Sequence, residues 1–188
     1  MGNEIYEYKN NEDFSVTTKT RIHEFLGIMN KIIKFKSGLH TIADVCCGNK
    51  FIGNAIQSYV PTRTCDFYDY YPIDSTISKI DLNFKVESKI KYDLVIFSHS
   101  LEHFEDSGMV LNSLKTFLNA SGQLIIVVPN CEYNIKARDP NLGHFKFFDF
   151  NSLKEEVNKV FTIDFIAENN QDVGFEELWI VCSNKLKR

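Results

Sequence analysis

The stretch YDLVIFSHSLEHF, residues 92–104, joins an apolar, strand-like run to a group of polar and ionisable side chains. Its first part, Tyr92 to Ser98, is rich in aromatic and branched residues, which favours a buried β-strand. His99, Glu102 and His103 follow directly. In an open parallel α/β sheet, ligands bind beyond the carboxyl ends of the strands. The stretch therefore predicts a central strand and a functional site at its end.

Outward from this strand, apolar runs alternate with segments of helical spacing. Strands are predicted at 41–46, 63–68, 77–82, 92–98, 123–128, 161–167 and 178–182, and helices at 18–36, 51–59, 107–118 and 152–160. This alternation predicts an α/β fold with a mostly parallel seven-stranded sheet and helices on both faces. The last two strands have no clear helix between them, so we expect an antiparallel edge. A single domain is expected, with an arm at 1–17, a helix at 18–36 and a core at 41–183.

Composition narrows the class of protein. The net charge of −4 argues against a broad nucleic-acid interface, which usually needs a basic face. The longest apolar stretch, Leu124–Pro129, is far too short to span a membrane, and Met1–Glu12 lacks the apolar segment of a signal peptide. The five cysteines form no CxxC pair, which disfavours a disulfide framework or zinc site and favours a reducing compartment. We therefore expect a cytoplasmic protein that binds neither metal nor nucleic acid.

Acidic residues stand near the predicted ends of the first three strands. Asp44 precedes the turn at 47–49, which opens a helix and can aim backbone amides at an anionic ligand. Asp69 comes 25 residues after Asp44 and can accept hydrogen bonds from two ribose hydroxyls. If the second strand ends earlier, Asp66 competes with Asp69 for this ribose-binding role. The plainer alternative is that Asp69 is a solvated loop carboxylate without a ligand. Asp81 follows the third strand, where capping a turn is nearly as good an explanation.

The segment Asp44-Val45-Cys46-Cys47-Gly48-Asn49-Lys50 resembles the first motif of the class I S-adenosylmethionine-dependent methyltransferases, acidic-x-Gly-x-Gly-x-Gly. Asp44 and Gly48 match, whereas Cys46 replaces the first glycine and Lys50 the third. Residues 92–104 resemble the fourth-strand segment of the branch that methylates ubiquinone and sugars. Residues 122–130 resemble its fifth strand with a Pro-Asn exit, and 144–153 its His-aromatic-helix segment. The resemblance runs in the family's order from about residue 42 to residue 182.

The resemblance implies a Rossmann-like fold that binds S-adenosyl-L-methionine and methylates a small molecule, in the first place on oxygen of a sugar or other metabolite. The cofactor residues that it implies are Asp44, Cys46, Gly48, Asn49, Asp69, Tyr70, Asp81, Leu82 and Ser98. Tyr70 would pack on the adenine ring, which the amide of Leu82 would face. We expect the Lys50 side chain to point away from the cofactor while its backbone still faces it.

Three histidines are candidates for the base that removes a proton from the acceptor. His99 follows the fourth strand, His103 lies about one helical turn further on, and His144 closes the long loop after the fifth strand. Fastening a loop by hydrogen bonds is a strong alternative for His103. His99, Glu102 and His103 also offer metal ligands, but the spacing is not HExxH and no other ligand cluster supports a metal.

The acceptor pocket is expected between the loop after Ser98, the loop from Asn130 to His144 and the N-terminal arm. Tyr133 would supply an aromatic wall and Arg138 a cation for an anionic acceptor. Two other classes remain open. The substitutions at 46 and 50 suggest a degenerate, non-catalytic binding or scaffold protein, and a dinucleotide-dependent oxidoreductase is disfavoured because G-x-G-x-x-G is absent.

Overall fold

The computed structural model of the chain describes residues 27, 40–59, 64–133, 138–171 and 175–185. The chain divides into two compact units, Met1–Lys34 and Phe35–Arg188, and the sheet belongs to the second. Apart from residue 27, the predicted arm and N-terminal helix lie outside the described residues. The expected single domain and the arm's place over the acceptor therefore stay predictions.

Seven strands form one sheet in the order β3-β2-β1-β4-β5-β7-β6. Their bounds are Thr41–Val45 for β1, Thr64–Asp69 for β2, Ile77–Lys79 for β3, Tyr92–Ser98 for β4, Leu118–Pro129 for β5, Phe161–Gln171 for β6 and Phe175–Asn184 for β7. Strands β1 to β5 pair in parallel, and β7 is antiparallel to both β5 and β6. This confirms the predicted fold class, with the last two strands forming an antiparallel pair at one side of the sheet.

The helices of the described part are α1 at Phe51–Tyr59, α2 at Ser107–Lys115 and α3 at Phe150–Val160, with 3₁₀ turns at Leu101–His103 and Pro140–Leu142. Aspartates begin two of them. Asp106 accepts the backbone N–H of Met109 at the start of α2, and Asp149 forms a reciprocal pair of hydrogen bonds with Ser152 at the start of α3. Such caps satisfy backbone donors that a helix leaves unpaired at its first turn.

Helices cover both faces of the sheet. Ala43 and Val45 of β1 belong to the same buried core as Leu111 of α2 and Leu153 of α3. Successive side chains of a strand point to opposite faces, so Asp44 faces the other side. There its carboxylate accepts a hydrogen bond from the backbone of Gly53 in α1.

Several element boundaries differ from the prediction, and two of the differences have an identifiable reason. The predicted helix 107–118 ends at Lys115, because Leu118 already pairs with Tyr92 as the first residue of β5. The predicted turn at 119–122 is an irregularity inside β5, between the pairs Tyr92–Leu118 and Leu94–Gln123. Gly122 fits there because a Cβ would stand 2.6 Å from the carbonyl oxygen of Tyr92.

Candidate functional site

The carboxyl ends of β1, β2 and β4 meet at one edge of the sheet and are tied together by short hydrogen bonds. The amide of Cys47 donates to the carbonyl of Tyr68 at 3.1 Å, and the amide of Gly48 donates to Oδ2 of Asp69 at 2.9 Å. On the other side of β1, residues Ile42 to Asp44 pair with Leu94 to Ile96 of β4. The loops that the sequence singled out therefore form one continuous surface.

The turn between β1 and α1 has a glycine-type backbone at alternate positions. Cys46, Gly48 and Lys50 have φ values of 57°, 51° and 63°. A residue with a Cβ in this left-handed region costs roughly 1–2 kcal/mol relative to an ordinary conformation. Cys46 and Lys50 thus adopt a backbone conformation that favours glycine although their side chains oppose it.

Lys50 is directed toward the β3 side of the sheet. Its Nζ forms an ion pair with Asp74, donates to Oγ1 of Thr76 at 2.9 Å and lies 5.7 Å from the ring centroid of Phe67. The β4 end lies on the opposite side of β1. The ammonium is thereby neutralised away from the loop that carries His99.

Asp44 is a buried acid that holds α1 against β1. It is 3% exposed, and its Oδ2 accepts the N–H of Gly53 at 2.9 Å. Burial raises the pKa of Asp44 to about 7, with the nearby Asp69 charge adding to the rise and the Gly53 hydrogen bond opposing it. Burial therefore favours the neutral acid form of Asp44 in the folded protein.

Asp69 closes the β2 end of the site. Its Oδ2 accepts from Gly48, and its Oδ1 accepts the N–H of Tyr71 at 2.9 Å. A carboxylate has about four lone-pair positions, so two acceptor positions remain for a ligand. Tyr70 next to it is exposed, packs edge-to-face on Tyr71 and has Nζ of Lys79 at 5.3 Å from its ring centroid.

Asp66, the competing choice for Asp69, has a structural role in mid-strand. Its Oδ2 accepts from the hydroxyl of Tyr92 at 2.7 Å, and Tyr92 also hydrogen-bonds the hydroxyl of Tyr68 at 2.6 Å. Burial raises the pKa of Tyr92, which keeps this phenol a neutral donor. Since β2 extends to Asp69, the carboxylate of Asp66 is not at the strand end.

Asp81 and Leu82 follow β3, and the structure assigns each a structural contact. Oδ1 of Asp81 accepts both the backbone amide of Asn83 at 3.0 Å and its side-chain amide at 2.9 Å, the turn-capping arrangement named as the alternative. Leu82 is 2% exposed and belongs to the main core. Asn49 is exposed, and its Oδ1 accepts the amide of Phe51.

His99 lies between two buried carboxylates. Its Nε2 is 2.8 Å from Oε1 of Glu177, and its Nδ1 is 3.9 Å from Oε1 of Glu102. Each glutamate side chain is no more than 4% exposed, whereas that of His99 is 30% exposed. The φ of His99 is 50°, and its amide donates to the carbonyl of Val127 at 2.8 Å. A strained backbone of this kind persists only where its surroundings fix it.

His103 and His144 meet on the next turn. Their ring centroids are 4.9 Å apart, and Nδ1 of His103 is 3.0 Å from the carbonyl oxygen of Gly143. His103 and His144 therefore lie beside each other near Glu102, and the role of His99, His103 and His144 as candidate bases stays a prediction. The hydrogen bond between His103 and the Gly143 carbonyl fastens the loop, as the alternative explanation for His103 expects.

The loop after β5 is described at both ends, with residues 134–137 between them outside the described part. Arg138 donates from Nε to the carbonyl oxygen of Cys131 at 2.6 Å. Tyr133, Phe145 and Phe147 are exposed aromatic side chains on this loop. Asn130, at the end of the Pro-Asn exit, is fully buried and its Oδ1 accepts the amide of Glu132.

Sequence reasoning missed Glu177 and Gly53. Glu177 lies near the start of β7 and pairs with Pro129, the last residue of β5. Because β7 runs antiparallel to β5, its amino-terminal half lies at the edge of the sheet where β5 ends. A carboxylate within the apolar run FEELWIVC is the signal that could have found it. Gly53 allows α1 to approach β1 closely, since a Cβ there would stand 2.8 Å from Oδ2 of Asp44.

In the part of the chain that the structure describes, no helix is long and apolar enough to cross a membrane. All five cysteines are unpaired.

Comparison with known proteins gives one family and many structures of the same fold. A family model described as "Methyltransferase domain" matches residues 20–178. The N-methyltransferase NodS of Bradyrhizobium japonicum, solved with S-adenosylhomocysteine, is 14% identical with a TM-score of 0.64, over 98% of this chain and 94% of that one. Magnesium protoporphyrin IX methyltransferase of Synechocystis, also with S-adenosylhomocysteine, is 14% identical with a TM-score of 0.64, over 92% and 86%.

A third similar structure is a Haloferax volcanii methyltransferase described as putative, in complex with the Trm112 methyltransferase activator. It is 12% identical with a TM-score of 0.61, over 94% of this chain and 97% of that one. None of the curated proteins compared matches this sequence.

Proposed function

The chain belongs to the class I S-adenosylmethionine-dependent methyltransferases, and we propose that it methylates a hydroxyl oxygen of a small-molecule acceptor such as a sugar or another metabolite. Bound S-adenosylmethionine supplies a methyl group that the sulfonium already activates. The protein must hold the cofactor, align the acceptor, exclude water and accept the proton of a hydroxyl.

The residues at the carboxyl edge fit the cofactor. The turn has a glycine-type backbone at Cys46, Gly48 and Lys50. Asp69 has acceptor positions left for two ribose hydroxyls while its bonds to Gly48 and Tyr71 fix its orientation. We assign Tyr70, Asp81 and Leu82 to the adenine side. Asp44, Asn49 and Ser98 belong to the same edge.

The observation that carries the choice of oxygen is the pairing of His99 with Glu177. An alcohol must lose its proton during methyl transfer, and imidazole is the usual side chain for that task near neutral pH. At 2.8 Å, Glu177 orients the ring and stabilises the positive charge that the ring gains with the proton. His99 is half-buried at the end of β4, so it is open to an acceptor on the cofactor edge.

A degenerate, non-catalytic relative is the second candidate, motivated by Cys46 and Lys50. Two observations weigh against it. The turn has a backbone that favours glycine at positions 46, 48 and 50, and the Lys50 ammonium is paired with Asp74 on the β3 side. Burial raises the pKa of the Cys46 thiol, so it remains a small neutral side chain.

An acceptor screen tests the choice of oxygen. Purified protein with S-adenosylmethionine is offered matched panels of alcohols, phenols, amines and carbon acids, and release of S-adenosylhomocysteine is measured. We expect turnover with hydroxyl acceptors, lowered at least tenfold in His99→Asn and unchanged in His40→Asn, whose side chain lies at the opposite end of β1. Turnover with amine acceptors only, or a turnover rate that is the same in His99→Asn and in the wild type, would contradict the proposal.

A further inference from the structure

A second group of ionisable side chains lies beside His99 and is formed by two separate segments. Glu102 and His103 belong to the 3₁₀ turn after β4, and His144 belongs to the loop before α3. Each residue offers one metal-binding atom, and the three atoms lie within 4.8 Å of one another. The sequence offered His99, Glu102 and His103 as metal ligands, with no other ligand cluster to support them. The fold instead brings His144 beside Glu102 and His103.

Glu102 gives an independent indication that a cation belongs here. Its side chain is 4% exposed, and within the described residues its Oε2 is buried without a hydrogen-bond partner. Its other oxygen, Oε1, lies 3.9 Å from Nδ1 of His99, beyond hydrogen-bond distance. Buried carboxylates are ordinarily paired or coordinate a metal.

The two histidines are held in place by the backbone of the same loop. Nδ1 of His103 faces the carbonyl oxygen of Gly143 at 3.0 Å. An N–H donated to that carbonyl leaves Nε2 as the free lone pair, which is the usual second-shell arrangement of a metal-binding histidine. The amides of Phe145 and Lys146 both donate to the carbonyl oxygen of Glu102, at 2.8 and 3.1 Å. The segment that carries His144 is thereby attached to the turn that carries the other two ligands.

We propose that Glu102, His103 and His144 bind a divalent transition-metal ion, with Zn²⁺ as the best match. Two imidazoles and one carboxylate favour Zn²⁺ over Mg²⁺, which prefers oxygen ligands. Neighbouring ligand atoms on tetrahedral Zn²⁺ are about 3.3 Å apart, from bond lengths of about 2.0–2.1 Å. Small side-chain rotations would therefore close the site around the ion.

Three protein ligands leave one coordination position open, as in catalytic rather than structural zinc sites. An ion here would bind the acceptor's hydroxyl oxygen and lower its pKa, so that His99 removes the proton more easily. This role rests on the proposed function, whereas binding of the ion does not.

Metal titration of the full chain tests the site directly. The metal-stripped protein is titrated with Zn²⁺ by calorimetry in the absence of cofactor, and with Co²⁺ followed by visible absorption. We expect one equivalent of Zn²⁺, and a Co²⁺ spectrum without a thiolate charge-transfer band. Glu102→Gln and His144→Asn should each weaken Zn²⁺ binding at least tenfold, while His40→Asn, which removes a remote exposed imidazole, should leave it unchanged.

Three results would overturn the proposal: no stoichiometric binding, equal Zn²⁺ affinity in all variants, or a thiolate band that assigns the ion to cysteines. Circular dichroism and binding of S-adenosylhomocysteine show whether each variant is folded. Glu102→Gln keeps the size of this buried side chain while it removes a metal-binding carboxylate, so it keeps the test valid if His144→Asn fails to fold. Zn²⁺ binding without S-adenosylhomocysteine binding would contradict the cofactor assignment alone, and the reverse would contradict the metal site alone.

Discussion

Replacing Gly53 by alanine should destabilise the protein, although alanine is the better helix former by about 1 kcal/mol. A Cβ at this position would stand 2.6 Å from Cε1 of Phe67 and 2.8 Å from Oδ2 of Asp44. Both partners are buried, at 8% and 3% exposure, so neither can move aside freely. Overpacking of this kind costs about 1–3 kcal/mol, and displacement of α1 also weakens the Gly53 to Asp44 hydrogen bond.

The expected net loss is about 1–2 kcal/mol in the free energy of unfolding, or about 2–8 °C in Tm. Urea unfolding and calorimetry of Gly53→Ala measure it. The matched control is Gly108→Ala in α2, where a Cβ meets nothing nearer than Oδ1 of Asp106 at 3.4 Å. The free energy of unfolding of that control should rise by up to about 1 kcal/mol. If both variants gained stability equally, the close approach of α1 to β1 would be wrong.

Three further variants probe individual contacts of the site. Glu177→Gln should lower kcat at least tenfold with the identified acceptor, without changing the KM for the cofactor, because His99 loses its charged partner; an unchanged kcat would remove Glu177 from the mechanism. The raised pKa of Asp44 favours the neutral acid in the folded protein. Its stabilising contribution is therefore fully present below the unfolded pKa of about 4 and is lost as pH rises toward about 7. Between pH 5 and 8 the wild type should lose stability that Asp44→Asn keeps. Unfolding titrations should show that the free energy of unfolding of the variant rises relative to that of the wild type by about 1 kcal/mol or more over this range. A pH-independent difference would refute the assignment. Cys46→Gly should leave the affinity for S-adenosylhomocysteine within about threefold in calorimetry, because the backbone already has the glycine conformation; a large gain would mean that the thiol obstructs the cofactor.

The sheet was predictable because most of its strands contain an apolar run, and β4 was predicted to the residue, whereas the bounds of β3, β5, β6 and β7 were not. The choice between Asp66 and Asp69 could not be made from the pattern, because it depends on where β2 ends. The carboxylate of Asp66 accepts a hydrogen bond from the hydroxyl of Tyr92, a residue 26 positions away in the sequence. Local composition does not encode such a contact.

The acceptor side was predictable only as a set of loops. The sequence placed His99 and His103 after β4 but gave no reason to bring His144 beside Glu102, since that depends on two amides of the returning loop. Glu177 was missed because β7 inserts between β5 and β6, and this insertion decides which part of the strand reaches the site. Both cases depend on pairing between distant segments, which a single sequence specifies only through its tertiary structure.

Calorimetric titration with S-adenosylhomocysteine tests the central claim most directly, because it needs no acceptor. The wild-type chain should bind one equivalent and should not bind NAD. Asp69→Ala should bind about 5- to 150-fold more weakly, as expected for the loss of about 1–3 kcal/mol of hydrogen bonding to a charged group. Asp164→Ala on edge strand β6, which loses its bonds to Gln123 and Ser183, should bind like the wild type. Absence of binding to the folded wild-type chain, or equal affinity in Asp69→Ala, would contradict the account.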